Sequence, residues 1–146
     1  MDLYQAAKAD IQELSDHLTR LSQLILQKQN NFLPHAIVMS DEGKAELFGA
    51  APDKDLTSAP EVLALLHAGL RRQTGRQSLR AIAIAEDVTV TLPGKQPTQA
   101  IKVLFEHKNG LTIALYQPVS RRAGGTLEVG PYTVVAAEPE LSAWKK

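Results

Sequence analysis

The chain has no cysteine among its 146 residues, which excludes disulfides, thiolate nucleophiles and every zinc site built on sulfur. It has no surplus of charge either. Sixteen Lys plus Arg stand against sixteen Asp plus Glu, so no global field gathers nucleic acid or an anionic membrane. Long apolar runs are also missing: the longest, such as Ala81 to Ala85, hold about five residues, against the roughly 18 that suggest a membrane span. The opening Met1-Asp2 lacks a basic region ahead of an apolar stretch, so no secretion signal is read. A cytoplasmic protein is expected, with no cofactor, no resident metal, no nucleic-acid partner and no membrane partner. No Walker loop, dinucleotide glycine fingerprint, nucleophile elbow or zincin helix occurs, and no spacing of Ser and His marks a triad.

What is present is strong periodicity. Ala7, Ile11, Leu14, Leu18, Leu21 and Ile25 recur at alternating spacings of 4 and 3, which predicts a helix over about 2–29. Asp2 with Gln5 supplies a capping-box-like start, and Asn30-Asn31 a stop. After Phe32-Leu33-Pro34, segments 35–40 and 45–50 flank Asp41-Glu42-Gly43-Lys44 and read as a hairpin. Ser58-Ala59-Pro60-Glu61 is a second capping box, opening a helix with the face Ala59, Val62, Leu63, Leu66 and Leu70 and with Gly75 as its C-cap.

Strict alternation from Leu79 to Leu92 predicts a strand, with Ile82, Ile84, Val88, Val90 and Leu92 on one side and Ala81, Ala83, Ala85, Thr89 and Thr91 on the other. Pro93-Gly94 turns the chain and Pro97 delays the next strand to about Gln99. In the following hairpin, a two-residue Asn109-Gly110 loop would put the apolar sets of the two arms on opposite faces. A three-residue loop, Lys108 to Gly110 with Gly110 left-handed, pairs Phe105 with Ile113 and unites both sets on one buried face; that register is expected. A last strand over about 126–137 is broken at Gly130-Pro131, and 138–146 forms a tail in which Trp144 is the anchor candidate.

The fold class expected is α+β in one domain, 1–146: a long N-terminal helix, an α+β body over about 32–137 and the tail. A single antiparallel sheet of about five to six strands, in the order α-β-β-α-β-β-β-β, carries both helices on a face.

Several groups carry chemistry if they converge. Glu86-Asp87 interrupts an apolar strand, and Glu86 shares a side with Ile84 and Val88. Buried, it would be a general acid or base, together with Glu106, His107 and His35. Alternatively a bulge turns it outward, or the strand has passed beyond the helix layer there. His17 and His67 stand on helices without a ligand motif. Arg71, Arg72, Arg76 and Arg80 form one basic cluster. Arg121-Arg122 before Gly124-Gly125 forms another, suited either to an anion held by guanidinium groups and free amides or to a charged hairpin tip.

Phe32-Leu33-Pro34-His35-Ala36, Glu86-Asp87-Val88-Thr89-Val90 and Ala100-Ile101-Lys102-Val103 with Glu106-His107 and Gly110 resemble a family of small uncharacterised bacterial proteins. The likeness runs over about 32–118, rests mostly on strand and turn residues, and brings no activity with it. Pro118-Val119 stands where Pro-Tyr is expected in that family. The element order also resembles profilin-like and roadblock-like domains, whose sheets support protein interaction, and that likeness implies fold only.

The expectation is a non-catalytic interaction or regulatory module, with an immunity-like inhibitor as one version and a small-ligand protein or enzyme built on the carboxylate and histidine cluster as the other class. A homodimer is also expected. A 28-residue helix spans roughly 42 Å and would outrun a strand of about 17–20 Å, leaving Leu21, Leu24, Ile25 and Leu26 for a partner copy.

Overall fold

In the computed structural model, residues 3–28, 32–48, 59–76, 78–91, 94 and 96–138 are described. Helix α1 (Leu3–Lys28) is followed by strands β1 (His35–Ser40) and β2 (Ala45–Phe48), helix α2 (Ala59–Arg76), and strands β3 (Leu79–Val90), β4 (Thr98–His107), β5 (Thr112–Arg121), β6 (Leu127–Val129) and β7 (Thr133–Ala136). The fold is α+β with one open antiparallel sheet in the order β2-β1-β3-β4-β5-β6. β7 also pairs with β5, so β6 and β7 share the last position. The expected cap at Asp2, the stop at Asn30-Asn31, the capping box at Ser58 and the Trp144 anchor lie outside the described residues, and α2 runs through Gly75 to Arg76 instead of ending before it.

The two helices occupy opposite faces, which corrects the expectation of one shared face. β3 explains why. Its row Ala81, Ala83, Ala85 packs under α1 with Ile37, Met39, Val103 and Phe105. Its row Ile82, Ile84 packs under α2 with Ala36, Val38, Val62, Leu66 and Leu70. A strand apolar on both rows must be covered on both sides. The alanines form a shallow floor that lets a helix lie close, while the isoleucines reach up into the shorter α2.

The buried stripe of α1 is Ala7, Ile11, Leu14, Ser15, Leu18, Thr19, Ser22 and Leu26. It recurs at eleven residues (7 to 18, 11 to 22, 15 to 26), close to the natural 3.6-residue turn, whereas the heptad reading through Leu21 and Ile25 assumes 3.5. Over three turns the two diverge, so Leu21 and Ile25 drift to the flank and Leu26 turns fully inward. Two of the buried hydroxyls are satisfied within the helix, Thr19 Oγ1 donating to the Ser15 carbonyl (2.8 Å) and Ser22 Oγ to that of Leu18 (2.8 Å). The strand length of about 17–20 Å does not apply beneath α1: β3 has 12 residues, about 40 Å at 3.3 Å per residue, so a helix of 26 residues does not outrun it.

The β4–β5 hairpin has the three-residue loop, with Phe105 opposite Ile113 and Gly110 at φ +101°. The His107 amide donates to the Leu111 carbonyl (2.9 Å) and that of Gly110 to His107 (3.0 Å). A Cβ on Gly110 would meet only Leu3 Cδ1 at 4.0 Å, so the penalty of a substitution there is conformational. Gly110→Val is expected to destabilise the domain by about 1 kcal/mol or more, read as a lower denaturant midpoint at unchanged slope.

Gly130 is needed for a different reason. A Cβ there would lie 2.9 Å from Pro118 Cγ, so only glycine lets the chain cross this close to β5. The expected break at Gly130-Pro131 therefore divides the last strand into β6 and β7, both bonded to β5.

Candidate functional site

The four acid and base candidates do not converge. The β3–β4 register runs without a shift from Ala81↔His107 to Val90↔Thr98, so faces alternate without interruption. Glu86 and Glu106 lie on the α2 face with Ile82 and Ile84, while His35 and His107 lie on the α1 face with Ile37 and Phe105. The bulge reading of Glu86 does not apply: it stays on the α2 face opposite Lys102, whose Nζ is 3.6 Å from its Oε2. This cross-strand ion pair accounts for an acid on an otherwise apolar row. Glu106 is buried on the same face, opposite Ile82.

His107 belongs to a polar clamp on α1. Asp10 Oδ2 lies 3.0 Å from His107 Nε2 and Asp10 Oδ1 accepts from Arg80 (2.9 Å). The Asn109 amide donates to His107 Nδ1 (3.1 Å), which leaves the ring proton on Nε2, facing the carboxylate. Arg80 reaches Asp10 because a bulge between β1 and β3 leaves it as the extra residue, with Met39 paired to Ala81 and Ser40 to Leu79. Arg80 therefore turns to the α1 face, away from α2, which carries Arg71 and Arg72, while the Arg76 side chain of the expected cluster lies outside the described ones. Asp10 was missed in the sequence, although it lies three residues after Ala7 and four before Leu14, on the edge of the buried stripe.

His35 is wedged under the other half of α1. Its Nδ1–H donates to the Leu33 carbonyl (3.0 Å) and its Nε2 stands 3.1 Å from Ser22 Oγ. A serine facing a histidine whose other nitrogen is fixed has the form of an activated nucleophile, but Ser22 is 0% exposed, so no substrate reaches it. The pair docks the helix. Burial lowers the His35 pKa below its usual value, against smaller opposing contributions from the Leu33 and Leu18 carbonyls. The folded state therefore favours the neutral ring, and the unfolded chain takes up a proton first as pH falls through about 6.5. Stability is expected to drop below that pH in the wild type, and a His35→Gln variant measured by denaturant titration across the same range should lose part of that slope.

The arginine and glycine candidates are engaged at the β5–β6 turn. Arg121 donates to the Leu26 carbonyl (2.5 Å), in the last turn of α1, and Arg122 pairs with Glu128. Gly124 and Gly125 take positive φ in a turn closed by the Gly125 amide on the Arg122 carbonyl (2.9 Å). These contacts match the charged hairpin tip and the capping of a helix C-terminus. Among the described residues no group of three or more His, Asp or Glu could hold a metal ion, and no helix is long and apolar enough to cross a membrane.

Of the four interface candidates, Leu26 is fully buried and Ile25 packs against the core. Leu21 is half-buried, and Leu24 alone is largely exposed, at 52%. The patch expected to be bare is thus mostly spent within the subunit.

Among the described residues, a cluster of exposed apolar side chains lies at the β6–β7 edge. Val134 and Val135 project to opposite faces of β7 and are 43% and 42% exposed, with Val129 at 43%. The Ala137 amide donates to the Thr112 carbonyl (3.3 Å). In the register Ala136↔Ile113 to Thr133↔Tyr116, residues 133, 135 and 137 thus bond inward to β5, and the backbone groups of Val134 and Ala136 point away from the sheet. Among the described residues β7 is paired with β5 alone. Beside this edge, on the α2 face beyond the reach of α2, a groove of about 320 Å³ is lined chiefly by Val90, Thr98, Ala100, Tyr116, Pro118 and Val135. A cavity of about 350 Å³ at the β1–β2 loop is lined instead by charged side chains such as Asp41, Glu42 and Lys44, and Asp41 is paired there with Lys108. Tyr132 and Gln117 fix the edge to α1, Tyr132 donating to Thr19 Oγ1 (2.8 Å) and Gln117 accepting from Gln23 (3.0 Å). Comparison with protein-family models, curated proteins and solved structures finds no match to this chain.

Proposed function

We propose that the protein is a non-catalytic interaction module that binds through the β6–β7 edge and the groove beside it. The observation that carries this reading is β7 itself, a strand apolar on both faces whose outward amide and carbonyl groups form a template for another strand. Main-chain bonds would supply affinity there, and the groove would select the side chain laid over Ala100 and Tyr116. The separation of Glu86 and Glu106 from His35 and His107 by the thickness of the sheet weighs against the alternative built on a carboxylate and histidine cluster.

The test is co-purification from native cells with tagged wild type, Val135→Lys and, as a surface control, Leu24→Glu. A protein recovered with the wild type and the control but lost with Val135→Lys supports the edge. A partner retained by Val135→Lys and lost with Leu24→Glu would move the site to α1.

A further inference from the structure

We infer that a second copy of this chain pairs with β7, antiparallel across a two-fold axis at Val135, so that the two sheets become one. This rests on the edge being the binding surface, and it names the occupant. The argument begins with the outward-facing groups. A two-fold register centred on residue 135 places Val134 opposite the Ala136 of the other copy and Ala136 opposite its Val134. Both residues direct their amides and carbonyls away from β5, so both pairs exchange hydrogen bonds, and the register wastes none of the outward groups.

The sequence singles out the same centre. Pro131 and Pro139 lack the amide that a ladder requires, and they bound the window 132–138, whose middle residue is Val135. Centring there keeps every paired position free of proline. Glu138 is the window's single charge; in this register the two copies of it fall at opposite ends, about 20 Å apart at 3.3 Å per residue, and each faces Tyr132. A register opposing Glu138 to itself would set like charges together. At the axis, Val135 meets Val135 in a non-hydrogen-bonded pair with Cα atoms about 4.5 Å apart. Because Val135 also lines the groove, the grooves of the two copies join across the axis.

The absence of native cysteine makes the register directly readable. A Val135→Cys side chain would face its own copy within disulfide range, whereas Val134→Cys would lie roughly 8 Å from its own copy, by an offset of two residues, beyond the roughly 7 Å limit. Under mild oxidation V135C is expected to convert mostly to a covalent dimer at concentrations where V134C and Leu47→Cys, exposed on the far edge strand, stay monomeric. Sedimentation should show a wild-type dimer that V135K, with two ammonium groups at the axis, dissociates while keeping its circular dichroism spectrum. If V135K fails to fold, the contrast between V135C and V134C decides alone. Equal crosslinking of V135C and V134C, or a wild type monomeric at high micromolar concentration, would overturn the dimer. Should that monomer still lose a different protein when residue 135 is changed, the second copy is refuted and the edge reading survives; if nothing is lost, both fail.

Discussion

Leu26→Ala is expected to destabilise the domain by about 3 kcal/mol, in the range for deleting a buried leucine, while Leu24→Ala two residues earlier should change stability by less than about 0.5 kcal/mol. Leu26 is 0% exposed and joins the cluster of Leu14, Leu18, Phe32 and Val119. Leu24 points to water at 52%. The contrast is sharp because a strict heptad stripe would continue through Leu21 and Ile25, making Leu26 peripheral. Denaturant midpoints of Leu26→Ala, Ile25→Ala and Leu24→Ala in that order of severity would establish the eleven-residue stripe. A Leu24→Ala loss as large as that of Leu26→Ala would place the helix in a different rotation on the sheet.

Asp10→Ala should have the second largest effect, about 2–3 kcal/mol, because one carboxylate serves two donors away from bulk water. Its side chain is 14% exposed and that of His107 11%, so deletion leaves an imidazole N–H and part of a guanidinium without their acceptor. Arg80, at 32%, recovers some of its hydration. The expected consequence is a thermal midpoint lower by roughly 6–10 °C in a domain of this size. In a double-mutant cycle, Asp10→Ala with His107→Ala should cost less than the sum of the two singles, since the second change removes the stranded donor. Additive losses would mean that the clamp is not a unit.

The strands, helices and hairpin register were legible because they follow from local rules. Loop length fixed Phe105 against Ile113, and alternation gave β3 its two faces. The placement of α2 on the far face was legible in principle, since a strand apolar on both rows cannot leave one row in water. Three other features depend on side chains that do not read as core. Ser15, Thr19 and Ser22 line the helix stripe, where hydrophobic counting passes over them although the Thr19 and Ser22 hydroxyls bond back to the helix. Arg80 is turned toward α1 by a bulge that no local signal in Leu79-Arg80-Ala81 announces. Asp10 becomes meaningful only when β4 brings His107 beneath it, 97 positions later. The candidate surface was hidden for the same reason. The last strand was expected, but whether Val134 and Val135 are core or edge depends on strand order, which periodicity does not contain.

That α1 is committed to its own sheet follows from its ties: Asp10 to Arg80 and His107, Ser22 to His35, Thr19 to Tyr132, Gln23 to Gln117, and the Leu26 carbonyl to Arg121. A helix held at this many points along its length is committed to its own sheet, which supports the proposal of a binding edge beyond β5, where β6 and β7 end the sheet.

The most direct test of that placement is amide hydrogen exchange along β7 in the folded protein, followed from low to high protein concentration and with any recovered partner added. Thr133 and Val135, bonded inward to β5, should be protected throughout. Val134 and Ala136 should exchange freely when dilute and gain protection as the edge is occupied. Protection of Val134 and Ala136 at the lowest concentration, or free exchange under every condition, would contradict the account: the first would show the edge already covered within one subunit, the second that nothing binds there.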